Sequence, residues 1–386
     1  MIQKKKIAWS IVISVGMLTF SYWVQNLNFP LPISGEKALI TAYEMTRNWL
    51  RPHLNERNDV LAINVSRNKQ LVYNEDSTLT SAVTDRRLLL KLLKYLEKKD
   101  DYLYIILDIG FSKYYKTNID STLFSTICRM RDIVVFQNPE DHLPNKRLIK
   151  KAGIAGYYAT PTESDFVKYP YMGSMALKMY EDCTKQSVKK CGPIYHDGWH
   201  LARSSVILDY NYIPLDFYDL GCCWNKMEGS STLMIDIWKS TGKYILIGAF
   251  EDEDIHSTHI GPMPGIAINF NAFLALQKKH HHVSITLGII LLFVFFTLSY
   301  LIFSQRELCK SLASIHFSST RWIRVLQRIL MLVCSWIGFT MVLSVICLLT
   351  YLCIDEVYDI LATSTLFGIF NVMVKLYNII AYDDYY

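Results

Sequence analysis

The stretch "DRRLLLKLLKYLEKKDDYLYIILDIGF", Asp85 to Phe111, decides the fold. Its first half carries leucines at 88, 89, 92, 93 and 96, the spacing of one helical face, with Thr84 or Asp85 placed to cap the N-terminus. Its second half, "LYIILDIGF", is a short apolar run ending in Asp108, the pattern of a strand buried on both faces. Upstream, "VLAINV" (Val60 to Val65) reads as a strand of the same kind. Downstream, "DSTLFSTICRMR" reads as a second amphipathic helix and "DIVVFQN" as a third strand. Strand, helix, strand, helix, strand predicts an α/β domain: a mostly parallel sheet flanked by helices on both faces.

Further along, "MGSMALKMYEDC" has helical spacing, and "SSVILDYNYIPLDFYDL" alternates like an edge strand followed by a loop. "KYILIGAF" predicts another buried strand, and "PGIAINFNAFLAL" a helix that runs through "QKKHHH". With no repeat or low-complexity linker between them, these elements belong to one domain, residues 25–282.

Both flanks of that domain are apolar. Of the 386 residues, 51% are hydrophobic and the mean hydropathy is positive, which few soluble domains of this length manage. Four spans are predicted, at residues 7–24, 283–303, 329–353 and 357–380, the last holding Asp359 near one end and Lys375 near the other. The first follows "MIQKKK" and ends in "SYWVQNLNF", which lacks a small-x-small cleavage site and so predicts an uncleaved anchor. Basic flanks stay in the cytoplasm. Lys4, Lys5 and Lys6 put residues 1–6 inside; Arg306, Lys310, Arg321, Arg324 and Arg328, against the single acid Glu307, do the same for the loop 304–328. The acidic "IDEVYD" then lies outside, and residues 381–386 return to the cytoplasm. The expected topology is a multi-pass protein of the cell membrane with both termini cytoplasmic and residues 25–282 extracytoplasmic.

That segment holds 31 Lys plus Arg against 29 Asp plus Glu, a balance that gives no electrostatic footing for nucleic acid. Most of the overall charge of +5 belongs to the cytoplasmic flanks, where it faces the lipid surface. Five of the nine cysteines fall outside; Cys183 and Cys191 are spaced to allow a bridge, while the vicinal Cys222 and Cys223 read as buried residues.

In its order of elements the chain resembles the type two CHASE domain, an extracellular sensory module associated with cyclases and histidine kinases. The matching blocks are "DVLAINVS" after a membrane-proximal helix, "DRRLLLKLLKYLEKKDDYLYIILDIGF", and "TGKYILIGAFEDEDIHSTHIGPMPGIAINFNAF". Gly265, Asn269 and Asn271 stand where that family carries a glycine and helical asparagines. Where the family has an acid after its first strand, this chain has Asn64 and Ser66, and its mid-domain acidic motif is reduced to "ESDFVKYP". The resemblance implies a sensory domain with one anchor before it and up to three spans after it. Family members often continue into a cytoplasmic kinase or cyclase, whereas this chain stops a few residues after the fourth predicted span, so the output of any signal is expected to be another protein.

The chemistry-bearing segment is "EDEDIHSTHIGPMPG", Glu251 to Gly265. In parallel sheets ligands bind outside the carboxyl ends of the strands. Asp108, Asp252 and Asp254 follow strands directly, so with His256 they form the expected ligand-binding set, while Gly261, Gly265 and Asn269 shape the turn and the helix start. The bland alternative is a solvated loop whose acids cap helices and turns. Asp254, His256 and His259 offer three metal-type ligands, but on a strand only Asp254 and His256 share a side. His280, His281 and His282 sit where the helix meets the bilayer and read as interfacial. No nucleophile elbow, phosphate loop, "HExxH" or dinucleotide fingerprint occurs.

The expectation is therefore a non-enzymatic, receptor-like membrane protein with no catalytic residues, no metal and no cofactor. It binds an extracytoplasmic ligand and passes the signal to a membrane or cytoplasmic signalling or assembly partner. The rival readings are a scaffold subunit of an envelope complex and, third, an extracytoplasmic metal-dependent hydrolase.

Overall fold

The structure is a computed structural model, and it describes residues 3–26, 34–50, 57–73, 80–111, 115–138, 143, 146–154, 168–208, 210–214, 216–221, 241–251, 254–258, 260–304, 321–354 and 360–383. The chain divides into two compact units. One comprises residues 1–50, 190–203 and 282–386; the other comprises residues 51–189 and 204–281.

The elements run in chain order as follows. Helices α1 (Gln3–Asn26) and α2 (Ser34–Leu50) precede β1 (Val60–Asn64), the ribbon β2 (Lys69–Tyr73) with β3 (Thr80–Thr84), α3 (Arg86–Lys99), β4 (Tyr104–Leu107), α4 (Asp120–Arg129), β5 (Ile133–Phe136) and β6 (Ala152–Gly153). Then come β7 (Lys168–Pro170), α5 (Met175–Thr184), β8 (Val188–Cys191), β9 (Ile194–Asp197), β10 (His200–Ala202), β11 (Ser205–Ile207) and β12 (Tyr218–Asp219). The last are β13 (Tyr244–Gly248), β14 (Ile255–Thr258), β15 (Gly261–Pro264), α6 (Gly265–Gln277), α7 (Ile285–Phe303), α8 (Arg321–Ile354) and α9 (Ile360–Asp383).

The α/β unit is built on a six-stranded sheet in the order β12-β1-β13-β4-β5-β6, with every neighbouring pair parallel. Side chains alternate between the faces of a strand. Leu61, Ile63, Ile105, Leu107, Ile133, Val135, Ile245 and Ile247 join the leucines of α3 and the apolar side of α4 in one buried cluster. The opposite face presents Tyr244 to Phe270 and Phe273 of α6, with ring centroids 5.4 and 5.6 Å apart, and α6 in turn packs on α5. Helices thus cover both faces, which is what near-continuous apolar strands require. Gly153 permits a close approach here, because a Cβ would collide with the backbone of Met175.

The α3 segment follows its sequence closely. Asp85 accepts from the backbone N–H groups of Arg87 and Leu88, and Leu89, Leu92, Leu93 and Leu96 are buried. The helix closes on Asp100 in the left-handed region at φ 49°.

In the other unit α1 packs on α7 and α8 on α9, with α9 also touching α1 and α7. Buried polar contacts tie these helices: Ser21 and Thr363 hydroxyls lie 3.2 Å apart, and Tyr43 of α2 donates to the Ser344 carbonyl of α8 at 3.0 Å.

Among the described residues three helical stretches are long and apolar enough to cross a membrane: Gln3–Val24, Ile285–Phe303 and Val333–Cys353. This corrects the expected topology. The apolar part of α9 is Thr363–Val374, which at 1.5 Å per residue reaches roughly 18 Å, short of a hydrocarbon core of about 30 Å. One crossing before the α/β domain and two after it make an odd number, so the two ends of the chain lie on opposite sides of the membrane and not both in the cytoplasm. The chain is a multi-pass membrane protein with one folded extracytoplasmic α/β domain.

Candidate functional site

The stretch "IYHDGWHLA" folds as a tight hairpin. His200 pairs with Asp197, Leu201 with His196 and Ala202 with Tyr195, leaving Gly198 and Trp199 as a two-residue loop. Gly198 takes φ +58°, the left-handed backbone such loops demand. The hairpin receives the segment leading to α7: His282 pairs antiparallel with Ala202, and the Val283 N–H donates to the Leu201 carbonyl at 2.8 Å.

That pairing sets His282 against Asp197. Nε2 of His282 lies 2.9 Å from Asp197 Oδ2, the Asp197 side chain is fully buried, and the His282 side chain keeps 13% of its surface exposed. The His282 ring also stacks on His200, with centroids 4.8 Å apart and planes 8° apart. A buried carboxylate is costly unless a cation or donors neutralise it. When Asp197 is ionised and no ion is bound, the bond calls for a proton on Nε2.

His281, the preceding residue, is fully buried and packs edge-on against Tyr171 and Tyr180, at 5.7 and 5.3 Å between centroids. Asp197, His281 and His282 each offer one ligand atom, and these atoms lie within 4.8 Å of one another. Two imidazoles and a carboxylate are a donor set that suits zinc and other first-row metals. The expectation that the chain is not an enzyme is therefore corrected. Converging ligands at a buried position are consistent with a metal or catalytic centre. The run "HHH" was the visible half of the signal; its partner lies 85 residues earlier, in a segment whose dense histidine and aspartate content was the cue available.

The residues expected to bind ligand lie in the α/β unit. Asp108 follows β4, and the Asn269 amide of α6 donates to its Oδ2 at 3.2 Å. Tyr169 of β7 donates to Asn269 Oδ1 at 2.6 Å. His256 Nε2 sits 2.9 Å from Asp254 Oδ1. Asp254 lies against the first residue of α6, where a Cβ at Gly265 would collide with its carboxylate. Gly261 turns between β14 and β15 at φ +122°.

Asp108 retains some solvent access as a residue, yet protein surrounds its carboxyl group. Burial first, and then the charge of Asp254, push its pKa up to about 7, against the opposing effects of Asn269 and His256. The hydrogen bond that His256 gives to Asp254 raises the histidine's pKa, burial opposes this, and the negative charges of Asp254 and Asp108 add to the rise. The structure thus brings Asp108, Asp254, His256 and Asn269 into one electrostatic group, while Asp252 and His259 lie outside the described residues, as do Cys222 and Cys223. Cys183 and Cys191 are free thiols.

A neighbouring cluster on the same sheet edge was not foreseen. Asn64, at the end of β1, donates to Asp219 at 2.9 Å and to Glu251 at 3.3 Å, and Arg67 pairs with Glu251 at 2.6 Å. Asn64 Oδ1 meanwhile accepts from the backbone N–H groups of Ser66 and Phe250. With all its polar atoms engaged, Asn64 serves as a joint between strands.

No family model, curated protein or solved structure matches this chain. Its reading therefore rests on the geometry above.

Proposed function

We propose that this chain is a membrane-anchored metalloprotein whose centre, Asp197 with His281 and His282, binds a divalent transition metal outside the cytoplasm and supports hydrolytic chemistry. The observation that carries this reading is the 2.9 Å bond between a fully buried carboxylate and His282, with a second imidazole adjoining. Three protein ligands with one position left open are the arrangement of catalytic zinc sites, where the metal lowers the pKa of a bound water and polarises a carbonyl or phosphoryl oxygen. In this chain Asp197 Oδ2 and His282 Nε2, 2.9 Å apart, would share the ion in place of the proton between them, and the tyrosines around His281 keep water from that imidazole. The test is metal analysis of the full chain purified in mild detergent. One equivalent of metal, lost in both Asp197→Ala and His282→Ala while circular dichroism is retained, supports the proposal; metal-free wild-type protein after growth with added zinc overturns it.

A second reading keeps the sensory role implied by the CHASE resemblance. Its support is the electrostatic group of Asp108, Asp254 and His256 at the carboxyl edge of the sheet, where a polar ligand or cation would bind. In that reading a separate signalling or assembly protein takes the output. Binding isotherms for candidate ligands that are unchanged in Asp108→Ala and Asp254→Ala reject it.

A further inference from the structure

The hairpin β9–β10 belongs to the membrane unit, and it is fastened there from two sides. Tyr22, near the outer end of α1, donates from its hydroxyl to the Ala202 carbonyl at 2.9 Å and lies 3.4 Å from the Tyr195 carbonyl. On the other side His282 and Val283 pair with the hairpin immediately before Ser284, the N-cap of α7. Since α1 and α7 each carry a membrane-crossing stretch, the hairpin is pinned at the level where two spans leave the outer leaflet.

Alternation along the two strands gives the hairpin two unlike faces. Tyr195, Asp197 and Ala202 are buried on the inner face. Ile194 and Leu201 stand exposed on the outer face, on either side of His196, and Trp199 at the loop is fully exposed. Lys189 and Lys190 lie exposed on the adjacent strand β8, the latter with its ammonium 5.3 Å from the Tyr195 ring centroid. An indole and two aliphatic side chains are the composition of a segment at the headgroup boundary, where such rings and aliphatics enter the acyl region.

We propose that β9–β10 is an interfacial anchor whose loop inserts Trp199, with Leu201 and Ile194 beside it, into the outer leaflet of the bilayer. The occupant of this face is lipid because the hairpin continues the surface of the spans to which it is bonded. Asp197, opposite the lipid-facing side, is thereby held close to the membrane surface. The inference stands whether or not the Asp197 centre binds metal.

The experiment uses the full chain in nanodiscs, with acyl chains either brominated or plain. Among the eight tryptophans the signal of Trp199 is isolated as the difference between wild type and Trp199→Phe. The expected difference spectrum is blue-shifted, loses intensity in brominated discs and resists aqueous iodide. Quenching by iodide alone places the loop in water and overturns the proposal; insensitivity to both quenchers places it against protein and also overturns it. The same measurement on Leu201→Trp in a chain carrying Trp199→Phe gives an independent reading of the outer face.

Discussion

The side-chain amide of Asn269 joins two strands of the α/β unit, donating to Asp108 Oδ2 at 3.2 Å while its oxygen accepts from Tyr169 at 2.6 Å. The bond to Asp108 favours the ionised carboxyl, but burial and Asp254 outweigh it, and the pKa rises from the usual carboxylate value to about 7. The folded state therefore holds this proton more tightly than the unfolded chain does. Stability from this source is complete below the unfolded pKa of about 4 and is lost as pH rises through about 7. His256, whose pKa is also raised, adds stability that is present below its unfolded value of about 6.5 and fades as pH rises further.

Asp108→Asn is thus expected to flatten the fall in stability between about pH 4 and pH 7, by roughly 4 kcal/mol across the window. Urea unfolding of the detergent-purified protein at several pH values measures it. An unchanged slope means that Asp108 titrates normally.

Gly265→Ala brings a methyl group onto the Asp254 carboxylate. The expected cost is about 1–3 kcal/mol, together with displacement of Asp254 from His256. Thermal unfolding reads the first and the titration of the His256 ring by NMR the second, its pKa falling toward that of a free histidine.

Asp197→Asn keeps the shape of the buried side chain but removes the charge that faces His282. The expected loss is about 1–3 kcal/mol of stability and, on the metalloprotein reading, at least tenfold in metal affinity. Denaturation and competition with a chromogenic chelator check these separately.

Leu93, fully buried between α3 and the sheet, is expected to cost about 2–5 kcal/mol when replaced by Ala, through lost burial and a residual cavity. Chemical denaturation supplies the number; a cost below about 1 kcal/mol would show that α3 is not seated as described.

Three crossings put a reporter at the amino end and one at the carboxyl end on opposite sides of the membrane. Paired fusions to a cytoplasmic fluorescent protein and to a periplasmic phosphatase are expected to give opposite outcomes at the two ends. Matching outcomes would restore an even number of crossings.

Much of the α/β domain was legible because its elements announce themselves locally. The leucine stripe of α3 behind Asp85, and the apolar runs that became β1, β4, β5 and β13, need no distant partner to be recognised. The order of the strands was hidden, since β13 inserts between β1 and β4 although it is the last to be made. The hairpin β9–β10 was hidden for another reason: strands of four and three residues carry too little pattern for a period to show. The acids that follow β4 and β13 could be placed on one edge from strand ends alone. Asp197 could not be, because what buries it is contact with a residue 85 positions away.

The fastening of Tyr22 to Ala202, and of His282 to the same residue, bears on biogenesis. The helix containing Tyr22 enters the bilayer early, yet its polar attachment is synthesised about 180 residues later and its packing partner α7 later still. During translation α1 must wait in lipid alone while the intervening chain is exported and folds. The membrane unit then closes around residues made at both ends of that delay, so a lesion that slows folding of the exported portion should appear first as an unassembled, protease-sensitive first helix.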